Sequence, residues 1–537
     1  MKPSGFVVPR RAGIVLLLAF ACTAPATAHE EVSEKLGTVH FPISCGEHVQ
    51  RDFNRALAMF YNFWFPNTNK AFEEIARAEP DCVMAYWGFA LAQRSNPLVG
   101  APPADAMTRG WEAMQKAKTL PAKTPRERDY LAALDVYYRD WKEIDHRTRV
   151  LAYEQAMEQL HLRYSGDSEA AVLYALALNE AIAVLPADKT FARQLKAAGI
   201  LEAVLSKQPE HPGALHFLIH SYDFPALADR GIDAARLYGS AATSAPHALH
   251  MPSHIYSMLG MWPESIQANR SALGVAKTYV HAIDFMVYAH LQSAQDREAE
   301  RLLRESIALQ ASGGAAQRTP TGAVLTVYTA YAAIPARYAL ERGAWAEAAA
   351  LELRPRSAPA DAITRFVRAM GLARLGDAVG ARTEIDALRV LHDELIQSKQ
   401  DYWAEQVEIQ HRAASAWAAL AEGRHAEALS LMTAAADAED ASEKHVAMEN
   451  RLWPMREILG ELLLELGRPA EALAAFETSL DAARNRMRGF HGAATAAQLI
   501  GDAEKAAHYY GEILKLASHA DSPRREIDAA RAYLATR

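Results

Sequence analysis

Six histidines fall close together in this chain: His216 and His220 in HFLIH, His247, His250 and His254 in HALHMPSH, and His281 shortly after. Histidine is costly to bury uncharged without a partner and is a favoured metal ligand, so the clustering asks for a cause. His216 and His220 stand at i and i+4, the spacing that puts two imidazoles on one helix face within reach of one ion. Carboxylates accompany them, Asp223 after the first pair and Asp284 after His281. Imidazoles with convergent carboxylates suit Zn, Cu, Ni or Fe, and a set such as His216, His250 and Asp284 suits non-haem iron. A metal-bound water beside such groups makes a hydrolase, and an open iron or copper site an oxidase. The residue types do not choose between the two.

A helical repeat must position these side chains. Runs of Ala, Leu and Glu at helical spacing fill the chain, and β-branched alternation is almost absent. LLELGRPAEALAAF (463–476) is followed by QLIGDAEKAAHYY (498–510), and the pairs Gly467/Gly501, Ala472/Ala506 and Phe476/Tyr510 are each 34 residues apart. That period, with small residues where helices cross, resembles the tetratricopeptide repeat (TPR), a helix–turn–helix unit. The resemblance implies an all-α solenoid of helical hairpins with a concave groove. The strings FNRALAMFYNFWF, DCVMAYWGFAL, HFLIHSYD and HMPSHIYSMLGMW resemble an exported bacterial TPR family of unsettled activity. They bear on fold and location only.

The histidines share the repeat's register. A step of 34 carries His216 to His250 and on to Asp284, His220 to His254 and on to Tyr288, and His247 to His281. Counted back from the turn glycine Gly260, His247, His250 and His254 take first-helix positions 2, 5 and 9, which the TPR resemblance places on the concave face. The preceding repeat puts His216, His220 and Asp223 at positions 5, 9 and 12, and the next puts His281, Asp284 and Tyr288 at 2, 5 and 9. Arg337 reaches the position-9 row, where it clamps an anionic substrate or stays a solvated surface residue. One departure is Pro252, which must delay or kink its helix.

The expected metal ligands are therefore His216, His220, His250, His254 and Asp284, with Asp223, His247, His281, Tyr288 and Arg337 contacting a bound ligand. The metal would be Zn, Cu or Fe. Two rival readings stand beside this one: a metal-free polar groove for a small molecule, a peptide or a protein partner, and buried structural histidines bonded between helices. HExxH, Walker A, GxSxG and GxGxxG strings are absent, which removes the commonest motif-bearing enzymes.

Location follows from the start of the chain. Lys2, Arg10 and Arg11 precede an apolar stretch from Ala12 to about Cys22, and Ala26-Thr27-Ala28 is a cleavage site. The stretch is too short to span a bilayer. The expectation is a signal peptide over 1–28, a lead-in over 29–48, helical repeats over 49–210, the histidine-rich repeats over 211–305 and further repeats over 306–537. Cleavage would move the formal net charge from −8 to −11 and leave no basic stripe for nucleic acid. The protein is expected in the periplasm, where Cys45 and Cys82, each just before a predicted helix, would pair.

Overall fold

The computed structural model describes residues 34–313, 321, 324–354, 357–445 and 451–536. The expected signal segment, 1–28, lies outside them. The chain divides into Met1–Glu34 and Lys35–Arg537, and the second unit holds every helix described. All regular elements among the described residues are helical, and neighbours in sequence pack as hairpins in a TPR-like solenoid.

The clearest hairpins are Met455–Glu465 with Pro469–Ala482, and Met487–Ile500 with Ala503–Leu516. Their tight turns need a left-handed residue, supplied by Gly467 (φ 69°) and Gly501 (φ 79°), and by Gly260 (φ 67°) in the histidine-rich part. One repeat further on, Ala294 takes the same conformation at φ 53°, at a cost of about 1–2 kcal/mol. The small residues at the crossings are also explained. A Cβ on Gly88 would stand 2.2 Å from the Phe72 ring, and one on Gly492 equally close to Phe476.

The repeat containing the middle histidines opens with two short helices, Pro246–His250 and Pro252–Met258, joined at Met251. Met251 itself keeps helical dihedrals (φ −53°, ψ −36°), so Pro252 interrupts the hydrogen-bond ladder and the chain still turns as a helix.

Long-range contacts then cover these repeats. The N-terminal segment runs alongside them, with the Thr38 amide donating to the Glu210 carbonyl (3.1 Å) and Asn62 Nδ2 to the Leu36 carbonyl (2.9 Å). The last repeats return to the middle ones: Trp262 Nε1 donates to the Asn485 carbonyl (2.8 Å), the Asp521 amide donates to the Ala294 carbonyl (3.1 Å), and Arg524 pairs with Asp296. Cys45 and Cys82 form a disulfide with Cα atoms 5.3 Å apart, tying the lead-in to the start of helix Val83–Gln93.

Candidate metal centre

Helix Pro212–Tyr222 carries His216 and His220, the split pair Pro246–His250 and Pro252–Met258 carries His247, His250 and His254, and Val280–Gln292 carries His281. The pattern predicts an accessible concave face. Instead all six imidazoles are buried, none more than 6% exposed. Phe63, at a left-handed corner (φ 49°) between helices Glu47–Tyr61 and Phe65–Ala78, lies over one end of the cluster. Its ring stacks on His247 with centroids 5.6 Å apart and meets His216 at 4.5 Å. Phe285 packs against His250, His254 and His281 at 4.7, 4.8 and 5.1 Å.

The six divide into two trios, His216/His220/His247 and His250/His254/His281, each able to offer three nitrogens within 4.8 Å of one another. This grouping differs from the expected convergence of 216, 220, 250 and 254. His247 and His281, read from the sequence as outer contacts, complete the two sets. Asp284 belongs to neither trio: its carboxylate accepts from Arg337 Nε at 3.2 Å. Burial pushes the Asp284 carboxyl up to about 6, against the opposing pull of that guanidinium.

The outer nitrogens decide where the lone pairs point. His216 Nδ1 lies 2.6 Å from the Tyr61 carbonyl, which can only accept, so Nδ1 carries the proton and Nε2 the lone pair. His250 Nδ1 meets Asn269 Oδ1 at 2.6 Å, and the same amide's Nδ2 donates to the Ser265 carbonyl, which fixes its orientation. His254 Nδ1 meets the Asp223 carboxylate at 2.8 Å. In their neutral forms His250 and His254 therefore both aim Nε2 lone pairs inward, and those two nitrogens are 3.1 Å apart. Two lone pairs at that distance repel unless a cation sits between them.

In the other trio, His216 Nε2 is 3.0 Å from His220 Nε2 and 3.1 Å from His247 Nε2, while His247 Nδ1 meets the Tyr279 hydroxyl at 2.9 Å. Burial is the main reason that every one of these rings resists protonation, with His216 lowered to about 3 and His250 to about 4. Burial thus keeps the six imidazoles neutral at pH 7, the form whose free nitrogen can bind a metal ion.

Three other expectations change role. Asp223 orients His254 and accepts from Lys444 Nζ at 2.7 Å. Tyr288 faces away from the trios: its hydroxyl accepts from Arg486 at 2.5 Å and its ring lies under Arg337, 4.6 Å from the guanidinium carbon. Arg337 is buried beside Asp284 rather than solvated. It lines a cavity of about 80 Å³ together with Tyr402, Trp403, Lys444, Arg451 and Trp453. Asn269, Tyr279 and Lys444 escaped the sequence reading, whereas Phe63 belongs to the aromatic run of FNRALAMFYNFWF. Only Asn269 carried a local signal, as a polar residue on the inner face of helix Trp262–Val275.

The chain matches no family model and no curated protein. Among solved structures it is similar to one described as a crystal structure of APC/C hetero-tetramer Cut9-Hcn1, at 10% identity over 90% of each chain, with a TM-score of 0.32. That likeness adds nothing to what the helices themselves show.

Proposed function

We propose that this is an exported metalloprotein that holds two metal ions inside a TPR-like frame, one ion per histidine trio, and uses them in catalysis. The observation that carries the reading is the pair of inward lone pairs on His250 and His254, 3.1 Å apart and backed by fixed outer acceptors. Metal-bound histidines characteristically donate their other nitrogen to a carbonyl or carboxylate, which is the role of Tyr61, Asn269 and Asp223 here. A purely structural histidine cluster would alternate donors and acceptors. The Cys45–Cys82 bridge supports an oxidising compartment, and among the described residues no helix is long and apolar enough to cross a membrane.

Metal analysis of protein purified from the periplasmic fraction tests this. The expected content is two ions per chain, falling to one in His216→Gln and one in His254→Gln. Each ion binding only the folded form at 100 times its Kd adds about 2.7 kcal/mol, so a chelator should lower the melting temperature of the wild type. A wild type without stoichiometric metal and indifferent to chelator would leave a non-catalytic scaffold for a protein or peptide partner.

A further inference from the structure

The charge around the trios narrows the choice of metal and of substrate. Six neutral imidazoles face inward, with no carboxylate among them. The two nearby carboxylates are each matched by a cation, Asp223 by Lys444 at 2.7 Å and Asp284 by Arg337 at 3.2 Å. The site therefore brings no net negative charge to its ions.

The trios are also close together. His247 and His250, from opposite trios, have ring centroids 5.8 Å apart, and His220 and His254 6.0 Å. Rings within a trio span the same range, from 4.7 Å for His250–His281 to 6.5 Å for His220–His247. Two ions held by adjoining trios would therefore be near enough for their charges to act on each other. Coulomb repulsion scales with the product of the charges, so two dications would repel about four times as strongly as two monocations. Desolvation in a pocket walled by Phe63 and Phe285 penalises the higher charge again. Imidazole suits Zn, Cu, Fe and Ni, and of these only copper has a readily accessible monovalent state, Cu(I).

Resting on the two-ion reading, we propose that the six imidazoles hold two cuprous ions and that the pair takes up one dioxygen molecule. Dioxygen is small, neutral and apolar, as a buried aromatic-walled site requires. Each Cu(I) loses one electron to become Cu(II), and dioxygen gains both to become the peroxide dianion bound between them. No proton or outside reductant is needed. The total charge of the two ions and the oxygen stays at two positive units, so the dry pocket never has to admit a counter-ion.

The test starts from metal-free protein loaded anaerobically with two equivalents of Cu(I) supplied as its acetonitrile complex, with unbound copper removed. Admission of air in an oxygen electrode should consume one dioxygen per two coppers. His254→Gln, which keeps the other trio, should bind one Cu(I) and lose the uptake. Two bound Cu(I) with no oxygen consumption would overturn the dioxygen inference and leave the two-ion reading standing. So would zinc that displaces Cu(I) at equal concentration, or a His254→Gln protein that consumes as much oxygen per copper as the wild type. Binding of neither metal would remove both readings.

Discussion

Replacing Arg486 with methionine should release the C-terminal repeats from the histidine-bearing ones. Arg486 is about 1% exposed and reaches three elements at once. Nε and Nη2 donate to Glu457, Nη2 also to Glu341 at 2.9 Å, and Nη1 to the Tyr288 hydroxyl at 2.5 Å. Burial pushes the Glu341 carboxyl up, but Arg486 and Arg488 outweigh it and hold the group below its ordinary value. Without Arg486 two carboxylates stay buried with less compensation, and breaking a buried pair in this way costs about 3–5 kcal/mol. Trp453 Nε1 still donates to Glu457 at 2.9 Å, which favours the lower part of that range. At a urea dependence of about 3 kcal/mol per molar, the unfolding midpoint should fall by roughly 1 M or slightly more. Circular dichroism against urea at pH 7 measures this. Adding Glu457→Gln removes one stranded charge and should restore about a third to a half of the loss, whereas independent sites would add their costs. An Arg486→Met protein with the wild-type midpoint, or a double variant weaker than the single, would refute the reasoning.

Lys444→Met should leave the Asp223 carboxylate unbalanced beside His254 and favour dications, raising Zn²⁺ affinity relative to Cu(I) about tenfold or more in a competition titration, or about 1.4 kcal/mol. Burial, with Arg149 and Arg94 adding to it, lowers His146 to about 4. Its folded pKa lies below the unfolded value near 6.5, so its contribution is complete above that value and is lost as pH falls toward 4. His146→Gln should therefore reduce the wild type's loss of stability between pH 7 and pH 5 by about 2 kcal/mol, read from denaturation midpoints at the two pH values. The Cys45–Cys82 bridge closes a loop of sequence separation 37, worth about 4 kcal/mol in chain entropy. Alkylation without reductant should add no label to the chain beginning at His29, and Cys45→Ser/Cys82→Ser should lower the melting temperature.

A solenoid is assembled from contacts between neighbours in sequence, and for that reason much of this one is legible as arithmetic. The 34-residue step that pairs Gly467 with Gly501 places Ala294 after Gly260, and all four adopt the left-handed turn. The same step aligns His216 with His250, His220 with His254 and His247 with His281, and Pro252 announces the break in its helix. What a register cannot carry is depth and pairing across the superhelix. Asp284 sits on the histidine row yet is taken by Arg337, and the cation that neutralises Asp223 is Lys444, distant in sequence. Phe63 reaches the imidazoles only because the first hairpin folds over them, and Tyr288 turns to Arg486 because the last repeats come back. These contacts decide which polar groups are buried and which charges are already balanced. Whether six aligned histidines line an open groove or a closed pocket is thus a property of the tertiary structure, because desolvation and counter-charge depend on what packs against a face, and the repeat specifies only which residues share it.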